Sequence, residues 1–124
     1  MLQLNLNRPG EHLFVRAVDA SGITVVDRTL TRSFVLAAER AEEAWPPRTP
    51  ADLDEAAIAT LLAFQPELVI LGTGAAVRFP APKVQAEFLR RGIGFEVMDN
   101  AAAARTFNVL VDEGRRVVAG FLLG

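Results

Sequence analysis

Residues Glu67 to Pro80 read ELVILGTGAAVRFP. Leu68 to Leu71 form an unbroken apolar run that ends at Gly72-Thr73-Gly74. A run of that length, stopped by glycines, predicts a strand covered on both faces of a sheet, because a half-solvated strand would alternate. The rest of the chain then has the task of covering it. Strand, glycine loop and helix in succession are also the usual surroundings of a ligand site in an α/β protein.

Downstream, Pro80 and Pro82 suit the entry of a helix, where a missing N–H costs nothing. Val84 and Phe88 lie one turn apart and are expected to face inward with Leu89, leaving Lys83, Glu87, Arg90 and Arg91 wet. The two arginines fall in the last turn, where the helix dipole favours cations, and Gly92 stands at the C′ position. Ile93 is expected to pack back on Phe88. Ile93, Phe95 and Val97 alternate with Gly94 and Glu96 and predict a strand leading into Met98-Asp99-Asn100. Strand, helix and strand with short joins make a βαβ unit with parallel strands and a right-handed crossover. The loops at Gly72–Ala76 and Met98–Asn100 must then open on the same edge of the sheet. A third helix is expected over Ala101–Asp112, with Ala103, Ala104, Phe107, Leu110 and Val111 as its inner stripe and Gly114 beyond its end. Phe107–Val111 is rich in β-formers and competes as a strand. Val117 to Leu123 closes the chain as another apolar strand.

Upstream the pattern is antiparallel β. Leu2, Leu4 and Leu6 alternate with polar residues until Arg8-Pro9-Gly10 interrupts them. Leu13–Val18 and Ile23–Val26 flank the turn-forming Asp19-Ala20-Ser21-Gly22 and predict a hairpin. Phe34-Val35-Leu36 is a strand centre. Arg40–Pro50 reads as a connection in which Trp45 covers the edge of the core. Asp52, with Glu55 three residues later, is expected to cap a helix whose inner stripe is Ala57, Ile58, Leu61, Leu62 and Phe64, ended by Gln65-Pro66.

Composition narrows the function classes. The 124 residues suit one domain, 1–124, and 51% are hydrophobic against 23% charged, which excludes a disordered chain. A mean hydropathy of +0.25 calls for a generous core or for apolar surface that meets a partner. A formal charge of −2 supplies no basic field for nucleic acid. Without cysteine there is no thiol nucleophile and no Cys-ligated metal, and a single histidine leaves most zinc designs unavailable. No apolar run approaches the roughly 20 residues of a bilayer span. The opening MLQLNLNRPG has neither a basic n-region nor an apolar h-region, so no secretory signal is expected and the expected location is cytoplasmic.

Few residues carry chemistry. Gly72 and Gly74 fit the first two positions of a dinucleotide fingerprint, but Val77 stands where its third small residue belongs. No Gly-Lys-Ser or Gly-Lys-Thr follows, so the loop is not a Walker phosphate loop. The plainer reading of both glycines is tight turning at positive φ. His12 beside Glu11 is read as a solvated residue, and no carboxylate pair has a spacing suited to acid–base work. One candidate binding edge stands out: Gly72, Thr73, Gly74, Arg78, Asp99, Asn100, Arg105 and Asn108. If these converge, an anion or a partner's carboxylate docks against Arg105 and free N–H groups. The alternative is structural, with an Asp–Arg pair tying loop to helix and Asp99 or Asn100 capping the third helix.

From the GTG loop through GIGFEVMDN to ARTFNVL the chain resembles the Mth938-like (DUF498) family, over its whole length in layout and specifically from about Glu67 onward; that family includes a mitochondrial assembly factor for respiratory complex I and an adipogenesis-associated protein. The resemblance implies an α/β fold of three layers around a central mixed five-stranded sheet, with additional N-terminal antiparallel β structure. It implies strand order 2-1-5-3-4 with the last strand antiparallel. Asn100, Ala104 and Phe107 stand where threonine, cysteine and tyrosine are common in the family, so chemistry needing that thiol or phenol is not expected. No cofactor, metal or catalytic residue is implied. The expectation is a non-enzymatic interaction or assembly-factor-like domain that holds a protein partner or a second copy of itself, with no nucleic acid and no membrane insertion. The alternative is a small-molecule or anion site, enzymatic or not, at the edge named above.

Overall fold

The computed structural model describes residues 12–124. The strand expected at Leu2–Leu6, its break at Arg8–Gly10, and Glu11 beside His12 lie outside the described residues. Within them the chain runs β1 (Val15–Asp19), β2 (Gly22–Val25), β3 (Arg28–Leu30), β4 (Phe34–Leu36) and β5 (Ala41–Glu42). A 3₁₀ turn (Pro50–Asp52) then precedes α1 (Glu55–Leu62) and β6 (Leu68–Gly72). The chain finishes with α2 (Pro82–Leu89), β7 (Gly94–Met98), α3 (Asn100–Asp112) and β8 (Val117–Phe121).

Five strands make the central sheet in the order β5-β4-β8-β6-β7, and β1-β2-β3 form a separate antiparallel sheet. Numbered within the central sheet alone, this is the expected 2-1-5-3-4. One expectation is corrected. The last strand, β8, is antiparallel to β4 but pairs parallel with β6, from Leu68 opposite Val117 to Gly72 opposite Phe121. The direction follows from α3, a 13-residue helix that carries the chain back to the starting edge of β7 before β8 begins. The βαβ unit is as expected, with β6 and β7 parallel and Ile70 opposite Glu96.

Alternation along the central strands sorts the core into two layers. Phe34, Leu36, Ile70, Ala119 and Phe121 face α3 and the small sheet, where they meet Ala103, Ala104, Phe107, Ile23 and Val25. Val35, Val69, Leu71 and Val118 face the other way, against Trp45, Ala57, Leu61, Val84 and Phe88. Because β6 is buried on both faces, it has no place for a polar side chain, which is why its sequence is uninterrupted Leu-Val-Ile-Leu.

Helix ends agree with the sequence in kind and differ in detail. The cap of α1 is Asp54, whose carboxylate accepts from Ala57 N–H at 2.9 Å; Asp52 instead closes the preceding 3₁₀ turn at Thr49. Leu89, expected inside, is 56% exposed, because Phe88 takes the inward position and stacks on Phe95 at 4.9 Å. Gly92 has φ +72°, and Ile93 N–H donates to Phe88 O at 3.0 Å, completing the expected C-terminal motif. Trp45 is buried, its indole N–H donating to Ala57 O at 3.2 Å. Its ring lies where a β-carbon on Gly120 would approach within 2.6 Å, so the glycine makes room for it. The connection containing Trp45 also holds the two-residue strand β5, and β3 was not expected at all.

Candidate functional site

The two loops that must share an edge are laced to each other. Thr73 N–H donates to Met98 O at 2.9 Å, and Asn100 N–H donates to Gly74 O at 2.8 Å. Leu122 N–H reaches Gly72 O at 2.8 Å, so the exits of β6, β7 and β8 form one hydrogen-bonded rim. Asp99 caps α3, its carboxylate accepting from Ala102 N–H at 2.7 Å. Asn100 Nδ2–H donates to Leu122 O at 3.1 Å, while its Oδ1 is buried without a hydrogen-bond donor. That oxygen lies against Gly72, where an added β-carbon would collide with it. Gly72 therefore serves close approach, in extended backbone at the end of β6, and only Gly74 of the pair has positive φ, +97°. The expectation of positive φ at both glycines is corrected for Gly72.

Beside this rim lies a cavity of about 530 Å³ between the β1–β2 turn, the Gly74–Ala75 segment, the start of α3 and the last residues of the chain. Gly74, Asp99 and Asn100 line it. Gly72 and Thr73 belong to the rim but not to the cavity wall, and neither Arg78, Arg105 nor Asn108 reaches it. Asn108 is engaged elsewhere: it exchanges two hydrogen bonds with Val15, accepting at 2.9 Å and donating at 2.8 Å, and so clips α3 to β1. Arg105 is exposed, and among the described residues Asp99 makes no ion pair with it. The cavity's charged members are Asp19 and Asp99. Asp19 is held below the ordinary carboxylate range by the Ser21 hydroxyl and Ser21 N–H, both donating to it. Without a lysine or arginine in its wall, this cavity has no counter-charge for an anion.

The other side of the glycine loop holds what the sequence reading overlooked. The buried Thr73 hydroxyl donates to Ala76 O at 2.7 Å and accepts from Arg78 N–H at 3.0 Å. One side chain thus closes the loop on itself and fixes the backbone just before Phe79. Phe79 is 76% exposed and Val77 47% exposed, with the exposed Arg78 between them. An aromatic ring held in water on a fixed loop, flanked by an arginine, has the composition found at binding anchors. The signal was present in AAVRFP: apolar residues that fit neither the strand before nor the helix after.

No group of metal-binding side chains occurs among the described residues, and none of their helices is long and apolar enough to cross a membrane.

Comparison with known proteins places this arrangement. Residues 15–122 match the model of a family described as "Protein of unknown function (DUF498/DUF598)". An uncharacterized protein of Rhodobacter capsulatus is 41% identical over 69 residues, a match spanning 56% of this chain and 56% of that protein. A solution structure from Xanthomonas campestris is similar with a TM-score of 0.85 at 41% identity, covering 98% of this chain and 92% of that one. A crystal structure from Bordetella parapertussis gives a TM-score of 0.84 at 32% identity, covering 94% and 100%. A solution structure from Bordetella pertussis, described as a Mth938-like domain, gives 0.76 at 28% identity, covering 96% and 90%.

Proposed function

From the premise that this chain belongs to the DUF498/DUF598 family and has the Mth938-like fold, we propose that it is a docking module whose working element is the tip Val77-Arg78-Phe79. In this reading it holds a protein partner without catalysing a reaction, in the cytoplasm, as an assembly-type factor does while a respiratory or membrane complex is built. The observation that carries the reading is the exposure of Phe79 on a loop fixed by the Thr73 hydroxyl. Burying a phenylalanine contributes about 2 kcal/mol, and a tip already in its bound shape loses little conformational freedom on docking.

The experiment is photo-crosslinking from position 79 in a lysate of the source organism, with a control at the exposed Gln85 on α2. A defined adduct from 79, identified by mass spectrometry and absent from 85, supports the reading. Indistinguishable adduct patterns from the two positions count against it.

A second reading, a small-molecule site in the 530 Å³ cavity, is favoured by that cavity's volume and its place beyond the carboxyl ends of parallel strands. Its acidic lining suits a cationic or hydroxyl-bearing ligand better than the anion first expected. A thermal-shift screen of amines and polyols against phosphates and carboxylates tests it, since a ligand of the folded state raises Tm.

A further inference from the structure

Strand β7 ends the central sheet and is paired on one side only, with β6. Gly94 N–H donates to Glu67 O at 3.1 Å, and Met98 O accepts from Thr73 N–H at 2.9 Å. In a parallel ladder alternate residues turn both backbone groups to the same neighbour, so Gly94, Glu96 and Met98 serve β6. Phe95 and Val97 turn their N–H and C=O outward, where no strand of the described residues receives them. The other sheet edges are blunted. β5 and β3 have two and three residues. β1 is bulged between Val15 and Ala17, and Asn108 occupies the backbone groups of Val15. By contrast, β7 runs five residues in one register with β6, without proline or lysine.

Each helix beside this edge hangs an apolar side chain over it. α2 packs on β7, with Lys83, Glu87 and Arg90 on its flank toward α1. Leu89, 56% exposed, is on the opposite flank and overhangs the free edge on the face that carries Phe95 and Val97. On the other face Thr106 of α3 meets Met98 at 3.4 Å, and Val109, one turn along that flank, is 57% exposed. The charges here are acidic. Glu96 is exposed and makes no ion pair among the described residues, and the exposed Glu113 follows Val109 by one turn. Arg105 falls on the flank of α3 with Asn108, which faces β1, and Arg90 and Arg91 are held by Glu87.

We infer that the β7 edge receives an extended segment of another protein, added as a further strand whose side chains alternate apolar and basic. Its backbone takes the outward N–H and C=O groups of Phe95 and Val97, a two-residue repeat that an extended chain matches. Its apolar side chains meet Leu89 and Val97 on the α2 face. On the α3 face its lysine or arginine lays its stem along Val109 and its charge against Glu96. A second copy of the chain fits badly, because two β7 strands paired antiparallel about a two-fold axis set Glu96 opposite Glu96. This surface does not use the Val77–Phe79 tip and is tested without it.

The test is selection of a random linear peptide library, displayed on phage, against the full chain, followed by NMR of the chain with the selected peptides in synthetic form. The expected peptides alternate apolar residues with lysine or arginine, and they shift the amides of Phe95 and Val97 and protect them from exchange. Leu89→Glu, at an exposed position, weakens their binding at least about tenfold while Tm stays put. Val97→Pro does the same, since it deletes an outward N–H and spares the bonds to β6. Glu96→Lys turns the selection toward acidic peptides. No peptide enriched above background overturns the inference, as do peptides that perturb other amides instead of these two. Affinities indifferent to Leu89→Glu, or a chain that self-associates through β7, overturn it as well. Should Val97→Pro fail to fold, Leu89→Glu decides alone.

Discussion

At the scale of single residues, space decides more than conformation does. Gly72 is needed because Asn100 Oδ1, Phe121 and Ala103 crowd the place where a β-carbon would go, the latter two at 3.1 and 3.2 Å. Gly72→Ala is expected to destabilise by about 2 kcal/mol through overpacking. Combined with Asn100→Ala the loss should be smaller than the sum, a coupling that urea titration of the four variants measures. The sequence announced a glycine here and suggested turning as its reason; nothing local told that a residue 28 positions later would press against it. Glu67 shows a different dependence. Arg115 donates to its carboxylate at 2.7 Å, and Arg116 N–H adds a second bond, which together hold it below the ordinary glutamate range. The stabilisation is complete above the unfolded-state value and is lost as pH falls from that value through the lower folded-state one. Glu67→Gln should flatten the stability–pH curve in that window, by a small amount because the pair is exposed.

At the scale of elements, legibility tracks length. The helices α1 and α2 are evident from period and end signals, β6 and β8 from apolar density and β7 from alternation, whereas α3 spans Asn100–Asp112 although its Phe107–Val111 part competes as a strand. The strands β3 and β5, of three and two residues, are too short for any period to show, and they exist because neighbours offer backbone partners at Thr24 and Val35. Boundaries shift where two acids compete for one cap. Asp54→Ala should cost about 1 kcal/mol by releasing Ala57 N–H, whereas Asp52→Ala should leave α1 intact and loosen only the 3₁₀ turn at Thr49. Helix content by circular dichroism, with thermal melts, separates the two. The same limitation explains the candidate edge. Spacing put Asp99, Asn100, Arg105 and Asn108 near one another in sequence, but around a helix Asn108 turns to Val15 while Asp99 and Asn100 stay at the rim.

At the scale of the whole molecule, a sheet covered on both faces sets everything else. Strand order followed from family resemblance, and which residues cover which face followed from alternation; that β8 runs antiparallel to β4 and parallel to β6 is visible only in the folded chain. Apolar excess was visible as a mean hydropathy of +0.25, but only the folded chain shows that part of it stands in water at Phe79. A hydrophobic residue between strand and helix is ordinarily a core residue of a loop, and here the closed Thr73 loop turns it outward. The docking reading depends on that loop being fixed rather than fluctuating. Amide hydrogen exchange at Arg78 tests this most directly, because among the described residues its N–H is bonded only to the Thr73 hydroxyl while its side chain is exposed. The predicted result is marked protection of the Arg78 amide that disappears in Thr73→Val while Ile70 and Val97 stay protected. Exchange of the Arg78 amide at the rate of an open chain in the unaltered protein would contradict it.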